Sequence, residues 1–334
     1  MASSTLLAAS NLSDAGLKFF NSFGTVITFL AIVLAVFWAA GRATGRFYKP
    51  IAIFVFLGPA IALLLIGLVF PAILTFYLSL KNSDGSTFIG ADNYTWAFTN
   101  SNIQDILITT LLWILVAPIV TTLLGLGLAL LVDRLKLQAV YKSLIFLPMA
   151  ISFVGASFIW RFVYEARDPS QPQVGLLSQI AIWLGAKHPP NWILSHPLNT
   201  FLLMVIMIWV QTGFAMVILS AALKAVPDDV IEAARMDGAR GGRLLFYVTI
   251  PMIRNTLIVV LTTIMITTLK VFDIVRTMTG GNFGTQVLSN EMYTQKFVFF
   301  NDGRGSALAV ILFIAVLPLM IYNVVQLRKE REVR

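Results

Sequence analysis

Long apolar segments separated by short polar connections dominate the pattern of this chain. An α-helix needs about 20 apolar residues to cross a hydrocarbon core of about 30 Å. That length predicts seven membrane-spanning helices, and we therefore expect an all-α, polytopic membrane protein. The predicted spans cover residues 23–40, 51–79, 106–132, 140–163, 199–223, 253–278 and 305–327.

One polar island, Val230–Pro251, interrupts the apolar pattern between the fifth and sixth predicted spans. Pro227 suits the first position of a helix, and the acidic residues that follow it favour the positive end of a helix dipole. The pattern predicts a short helix over Pro227–Asp237, a turn at Gly238 and a second helical stretch over Arg243–Ile250. The charged residues of the island are Glu232, Arg235, Asp237, Arg240 and Arg243.

Two interpretations of this island stay open on these grounds. A helix that only links two spans along the membrane surface is expected to present a uniformly basic polar face. Acidic and basic residues alternate in the island instead. This alternation favours a surface on which another protein docks.

Composition agrees with a membrane protein and excludes several other classes. Apolar residues make up 58% of the chain, against about 45–50% in soluble domains. The net charge of +8 fits basic loops on the cytoplasmic side, so we expect no nucleic-acid partner. The chain has no cysteine, and its two histidines, His188 and His196, share a proline-rich loop without the spacing of a metal site. We expect neither a metal nor another cofactor.

Basic residues also predict the orientation of the chain. Most Lys and Arg residues outside the spans lie in the connections that follow the first, third, fifth and seventh spans. The positive-inside rule places these connections in the cytoplasm, with the N-terminus outside and the C-terminus inside. The N-terminus lacks the basic region of a cleavable signal, so we expect the first span to be retained. The outer connections are residues 79–102, 167–197 and 280–305. Either they serve only as links between spans, or they also form a surface that receives a soluble partner.

The polar island has the spacing of a family signature, and it resembles the signature of permease subunits of ABC importers. Val248 replaces the usual isoleucine, and Ile250 replaces the usual leucine before the proline, so both departures are apolar exchanges. The matching positions are Glu232, Ala233, Ala234, Gly238, Val248, Ile250 and Pro251.

Three further segments resemble the carbohydrate importers of the maltose type, in Phe88–Tyr94, Tyr141–Pro148 and Val271–Gly281. The likeness covers roughly residues 50–330. It implies a core of six transmembrane helices in residues 51–334, preceded in residues 1–50 by one extra helix and a cytoplasmic linker. It also implies a coupling loop, residues 225–251, on the cytoplasmic side.

In this family the coupling loop docks into a cytoplasmic ATPase. The resemblance implies that Glu232 makes the polar contact, that Ala233 and Ala234 pack closely, and that Gly238 supplies the turn. Asp237 and Pro251 belong to the same set. The chain has no G-x-x-x-x-G-K-[S/T] loop, so ATP is expected to bind a partner.

The resemblance implies that the chain lies in a bacterial inner membrane and has three protein partners. These are an ATPase dimer, a second, homologous permease subunit and an extracytoplasmic sugar-binding protein. The signature occurs once in the chain, whereas two ATPase subunits each need a docking loop. A heterodimer of permeases is therefore favoured, and a homodimer stays open.

Polar side chains inside the predicted spans are candidates for the substrate path, because such groups face a cavity rather than lipid. One set lies before the coupling loop and the other in the following span. In the second set, Asp273 is three residues from both Lys270 and Arg276, which predicts a ladder on one helix face; a purely structural role for this ladder stays open. The polar candidates are Gln211, Lys270, Asp273 and Arg276. Trp209, Phe214 and Phe272 are added because aromatic rings stack on sugars, and Gly213 belongs to the same set.

The leading hypothesis is thus a permease that imports a sugar, with an oligosaccharide such as an α-glucoside as the cargo by resemblance. The alternative is a secondary transporter driven by an ion gradient, which typically carries internal repeats and interrupted helices. We find no such repeat. An intramembrane enzyme is disfavoured, because no set of catalytic residues converges in the sequence.

Overall fold

The computed structural model describes residues 48–332 except residue 169, together with the isolated positions 24, 27, 31, 34 and 38. Two compact units, residues 1–74 and residues 75–334, make up the chain. The predicted first span, 23–40, lies outside the continuously described residues. The predicted division into 1–50 and 51–334 stays a prediction.

Helices form nearly all the regular structure of the described residues, which confirms the all-α prediction. Within that part of the chain, the bridge between Lys81 and Phe88 is the one β-type pairing. The helices are α1 (Tyr48–Leu64), α2 (Phe70–Ser79), α3 (Asp92–Thr99), α4 (Ser101–Val132), α5 (Gln138–Phe146), α6 (Phe153–Val163), α7 (Leu176–Trp183), α8 (Leu198–Lys224), α9 (Asp228–Met236), α10 (Gly242–Leu244), α11 (Ile250–Met252), α12 (Arg254–Leu269), α13 (Asp273–Met278), α14 (Leu288–Tyr293) and α15 (Asp302–Glu332).

Four helical stretches are long and apolar enough to cross a membrane unaided. Two bent pairs raise the number of candidate spans to six in the described residues, if each pair counts as one span. Six is the number predicted after residue 50. The four single spans are Phe56–Ser79, Ser101–Val132, Leu198–Lys224 and Asp302–Val325.

The first span of this set belongs in part to the N-terminal unit. A π turn, Leu65–Val69, joins α1 to α2 and widens the helix locally. None of the side chains of residues 56–74 is buried. Such an exposed apolar surface on a helix of this length suits contact with lipid.

The predicted span 140–163 is not one straight helix, because α5 and α6 meet at 100°. Pro148 lies in the 3₁₀ turn Leu147–Ala150, where its missing amide ends the α-helical hydrogen-bond pattern. The Ser152 hydroxyl then accepts the Gly155 amide at 3.1 Å and caps the new helix. The apolar pattern therefore located the segment and missed the bend.

The predicted span 253–278 is wrong as a single helix. Its first helix, α12, ends at Leu269, and α13 begins at Asp273. The Ser289 hydroxyl donates to the carbonyl oxygen of Val271, which replaces the hydrogen bond that a continuing helix would supply. At its other end, α12 meets the stretch Gly242–Met252 at 72°.

Helices α4 and α8 form the centre of the second unit. They contribute to a buried cluster that holds Trp113 and Met207, and to another that holds Leu126 and Met216. A Cβ atom at Gly125 of α4 would lie 2.5 Å from the Cβ atom of Ala215 on α8. Small residues thus let the two backbones approach closely, as is common between membrane helices.

Candidate functional site

The first helix of the coupling loop is α9, which is separated from the end of the long helix α8 by three residues. Pro227 occupies the N-cap position, and Asp228 and Asp229 lie in the first turn, where the helix dipole favours negative charge. Helix α9 covers Asp228–Met236. The predicted helix is therefore confirmed and is one residue shorter at each end.

Gly238 ends α9 with a left-handed backbone, at a φ of 84°. Its amide donates to the Arg235 carbonyl at 3.1 Å, and the Ala239 amide donates to the Ala234 carbonyl at 2.9 Å. This arrangement satisfies carbonyl groups at the end of the helix. The predicted turn is confirmed, and backbone geometry alone favours glycine here, because a Cβ atom at position 238 would meet no atom within 4 Å.

A second helical stretch follows the turn, as the sequence predicts. Gly241 has a φ of 54° and precedes α10. The π turn Leu245–Thr249 then leads into α11, which contains Pro251. Gly238 and Gly241 thus separate α9 from this second stretch, which leads into α12.

The coupling loop exposes its charges. No residue from Lys224 to Met252 is buried, and Glu232 and Ala233 are exposed while Ala234 is half-buried. None of the salt bridges among the described residues includes a charge of α9 or of the turn after it. These carboxylates and guanidinium groups are therefore available to a partner. The charges concerned are Asp228, Asp229, Glu232, Arg235, Asp237, Arg240 and Arg243.

Three large apolar side chains share this exposed loop, and sequence reasoning missed them. Met236, Phe246 and Tyr247 are exposed to 88%, 65% and 80%. Apolar side chains this exposed beside a charged helix are typical of a protein-docking surface. Their position within a polar segment was the signal that the sequence offered.

The second candidate site is a cavity of about 610 Å³ between α12, α14 and α15. Lys270 and Phe272 line it, together with Ser289, Tyr293 and Phe313. The rings of Phe272 and Tyr293 are 5.1 Å apart. The structure thus brings two predicted path residues together with a serine and aromatic rings that were not predicted.

The predicted ladder is wrong. Because α12 ends before Lys270, this residue does not share a helix with Asp273 and Arg276. No salt bridge among the described residues joins Asp273 to either base. Arg276 instead lies over the ring of Tyr293, with its guanidinium carbon 4.9 Å from the ring centroid.

The path residues predicted on α8 do not line that cavity. Gln211 is half-buried, and its side-chain amide group has no hydrogen-bond partner within the described part of the chain. Trp209 packs edge to face on Trp160 at 5.8 Å, and Phe214 packs on the cluster around Met216. A Cβ atom at Gly213 would lie 2.6 Å from the Ile145 carbonyl oxygen, so Gly213 serves helix packing.

Comparison with known proteins agrees with this arrangement. Residues 121–332 match the family model described as binding-protein-dependent transport system inner membrane component. The chain belongs to this family. It is a permease subunit of an ABC importer in the inner membrane, and the resemblance found in the sequence is confirmed.

Two curated relatives align over most of the chain. The osmoprotective compounds uptake permease protein GgtC of Synechocystis is 47% identical over 276 residues, which cover 83% of this chain and 99% of that protein. The α-glucoside transport system permease protein AglF of Rhizobium meliloti is 45% identical over 289 residues, which cover 86% of each protein.

A solved structure shares the fold. It is a chain from the crystal structure of a bacterial ABC transporter involved in the import of the acidic polysaccharide alginate. The TM-score is 0.72 at 20% identity, and the alignment covers 85% of this chain and 99% of that one. The bent helices described above thus belong to an importer fold.

Proposed function

We propose that this permease carries a sugar across the bacterial inner membrane, and that the cargo is an oligosaccharide such as an α-glucoside. The relative AglF, named for α-glucoside transport, supports this cargo at 45% identity over 86% of the chain. The relative GgtC, named for osmoprotective compounds, supports a second class of cargo at 47% identity. For either cargo the function of the subunit is the same, because it forms part of the path through the membrane.

The observation that carries the coupling mechanism is the exposed, unpaired charge of α9. Glu232 makes the polar contact with a cytoplasmic ATPase, and Ala233 and Ala234 allow its surface to approach closely. Met236 and Tyr247 add apolar area beside these contacts. Asp237 and Gly238 form the turn that sets the direction of α9, and closure of an ATPase dimer on ATP then displaces the loop.

The proposed complex contains two permease chains and a binding protein. A second, homologous permease supplies the other docking loop that an ATPase dimer requires. The binding protein delivers sugar to the outer connections. With the coupling loop in the cytoplasm, the N-terminus lies outside and the C-terminus inside, as the distribution of basic residues predicts.

The proposed substrate path runs past the cavity that Lys270 and Phe272 line. Sugar hydroxyl groups suit an ammonium donor, and aromatic rings such as Phe272 and Tyr293 suit the apolar face of a sugar. The free amide of Gln211 and the nearby Phe214 are assigned to the same path on α8. Asp273 is retained as a candidate, although it does not line the cavity.

Uptake by the complete complex in proteoliposomes tests this function. Glu232→Ala should abolish uptake while the variant still inserts into the membrane, because the ATPase loses its polar contact. Asp105→Ala is a matched control, since it removes an exposed carboxylate on α4 that lies outside both the coupling loop and the outer connections. Unchanged uptake by the Glu232 variant would remove the coupling role.

The source of energy separates the importer from the alternative, a secondary transporter. Uptake should stop when ATP is omitted while a proton gradient is held across the proteoliposome membrane. Uptake that continues under these conditions would favour the secondary transporter. The cargo is then assigned by measuring which sugar the co-purified binding protein captures, with α-glucosides compared against osmoprotective compounds.

A further inference from the structure

A polar cluster joins the ends of α4 and α8 to the short helix α5 just before the coupling loop. Asp133 directly follows α4, Lys142 lies on α5 and Ser220 lies on α8. The Lys142 ammonium is 2.6 Å from Asp133 Oδ1 and donates to Ser220 Oγ at 2.6 Å. The Ser220 hydroxyl is 2.9 Å from each oxygen of the Asp133 carboxylate. The three side chains thus contact one another within hydrogen-bond distance.

A second layer extends this cluster to Lys224, the last residue before the coupling loop. Lys224 is the last residue of α8, and its ammonium lies 3.7 Å from Asp133 Oδ1. It donates to Gln138 Oε1 on α5 at 2.6 Å. Ser220 and Lys224 are four residues apart on one face of α8, and Gln138 and Lys142 are four apart on α5. Asp133 therefore contacts residues of both helices, Ser220 and Lys224 on α8 and Lys142 on α5.

The inner layer is shielded from solvent. The side chains of Asp133 and Lys142 are exposed to only 16% and 19%, and Ser220 is buried. Exposed ion pairs contribute little to stability, whereas removal of one partner from a shielded pair leaves the other without compensation. The cluster should therefore hold the three helix ends in one fixed arrangement.

The helix α9 of the coupling loop has no comparable attachment, because no salt bridge among the described residues joins it to α4 or α5. At the two ends of the loop, Val226 and Ile250 pack on the cluster around Met216, whereas every residue of α9 is exposed or half-buried. A displacement of α9 reaches the helices through the short stretch Ala225–Pro227. The polar cluster lies directly before this stretch and fastens the last turn of α8 to α5 and to the end of α4.

We propose that Asp133 is a positioning residue for transport. It fastens the end of α8 to α4 and α5, so that a displacement of the coupling loop moves these three helices together. This inference rests on the proposed coupling function of the loop. Asp133 acts through the helices and contacts neither the ATPase nor the sugar.

The first test compares Asp133→Asn with wild type in the assembled complex. The asparagine keeps the shape of the side chain but leaves Lys142 and Lys224 without a countercharge. We expect ATP hydrolysis to continue while sugar uptake per ATP hydrolysed falls about fivefold or more, the lower end of a typical coupling between sites. Asp105→Asn, which removes an exposed carboxylate on α4 outside the cluster and outside the outer connections, should leave this ratio unchanged.

The second test restores the attachment by different chemistry. The chain contains no cysteine, so Asp133→Cys with Ser220→Cys introduces the sole thiols. A short, cleavable thiol cross-linker should raise uptake per ATP above that of the unlinked variant, because it again fastens α4 to α8. Cleavage should reverse the gain, and each single-cysteine variant should not respond to the reagent.

Two results would overturn the proposal. One is an assembled Asp133→Asn complex with the wild-type ratio of uptake to ATP hydrolysis. The other is a cross-link that forms and does not raise this ratio. The cross-linking test also decides whether the proposal holds if the Asp133→Asn variant fails to assemble. Both tests use complexes in which wild-type uptake depends on ATP. Uptake without ATP would be a failure of the proposed function and is a separate result.

Discussion

Gly213 of α8 lies against the backbone of Ile145 at the end of α5. A Cβ atom at position 213 would stand 2.6 Å from the Ile145 carbonyl oxygen and 2.7 Å from the Phe146 Cα atom. We expect Gly213→Ala to destabilise the protein by about 1–3 kcal/mol, because backbone atoms must move to admit the methyl group. The measurement is thermal unfolding of the purified permease.

Gly127→Ala is the matched control for this prediction. Gly127 lies on the exposed side of α4, and a Cβ atom at this position would meet nothing within 4 Å. The alanine should be neutral or stabilising there, because alanine favours a helix by about 1 kcal/mol over glycine. A Gly213→Ala protein of wild-type stability with altered sugar selectivity would instead assign Gly213 to the substrate path.

Gly238→Val should weaken coupling without unfolding the permease. A β-branched residue is strained at a φ of 84°, and a left-handed backbone costs most side chains about 1–2 kcal/mol. The turn should relax and α9 should change direction, which lowers both ATPase binding and uptake. Co-purification of the ATPase measures the first effect and sugar uptake the second.

Two companion variants separate backbone strain from loss of the glycine itself. Gly238→Asn should retain more ATPase binding than the valine variant, because asparagine adopts left-handed geometry more readily. Gly242→Ala should behave as wild type, since Gly242 begins α10 and open space surrounds the position that a Cβ atom would take. Equal defects in all three variants would contradict a role for the backbone at Gly238.

Tyr247→Ala should weaken ATPase binding by about tenfold or more. Tyrosine is enriched among the few interface residues whose truncation weakens binding by about 2 kcal/mol or more, and Tyr247 is 80% exposed in the chain. The dissociation constant of the purified ATPase from the permease in detergent is the measurement. Leu184→Ala, at an equally exposed apolar residue after α7, should have no effect.

Lys270→Met should raise the sugar concentration needed for half-maximal uptake several-fold. Lys270 lines the cavity and has no ion-pair partner within the described residues, so its ammonium is available for sugar hydroxyl groups. ATPase binding should not change, because the residue lies outside the coupling loop. Asp273→Asn should have a smaller effect, since Asp273 does not line the cavity.

The sequence predicted what depends on local order. The apolar lengths located the spans after residue 50, and Pro227, Gly238 and the charges between them were enough to define α9 and its turn. These features follow from helix dipoles, left-handed glycine and hydrophobic length, which act over a few neighbouring residues. Family membership followed from the spacing of Glu232 and Gly238 for the same reason.

The features that sequence reasoning missed depend on residues far apart in the chain. The break after Leu269 involves Ser289, whose hydroxyl takes the place of a helical amide at Val271. The cavity joins Lys270 to Tyr293 and Phe313, which the linear pattern assigned to a connection and to another span. The Asp133 cluster likewise joins three helices, and no periodicity along one segment indicates such a contact.

The bend of 72° before α12 gives the coupling loop the geometry of a lever. The arm Gly242–Met252 is about 16 Å long at a rise of about 1.5 Å per residue. A rotation of about 10° at Ile253 therefore carries the free end of the arm through about 3 Å, which follows from the same helix rise. A small angular change in the membrane thus corresponds to a displacement of atomic-contact size at the surface that we propose as the ATPase docking site.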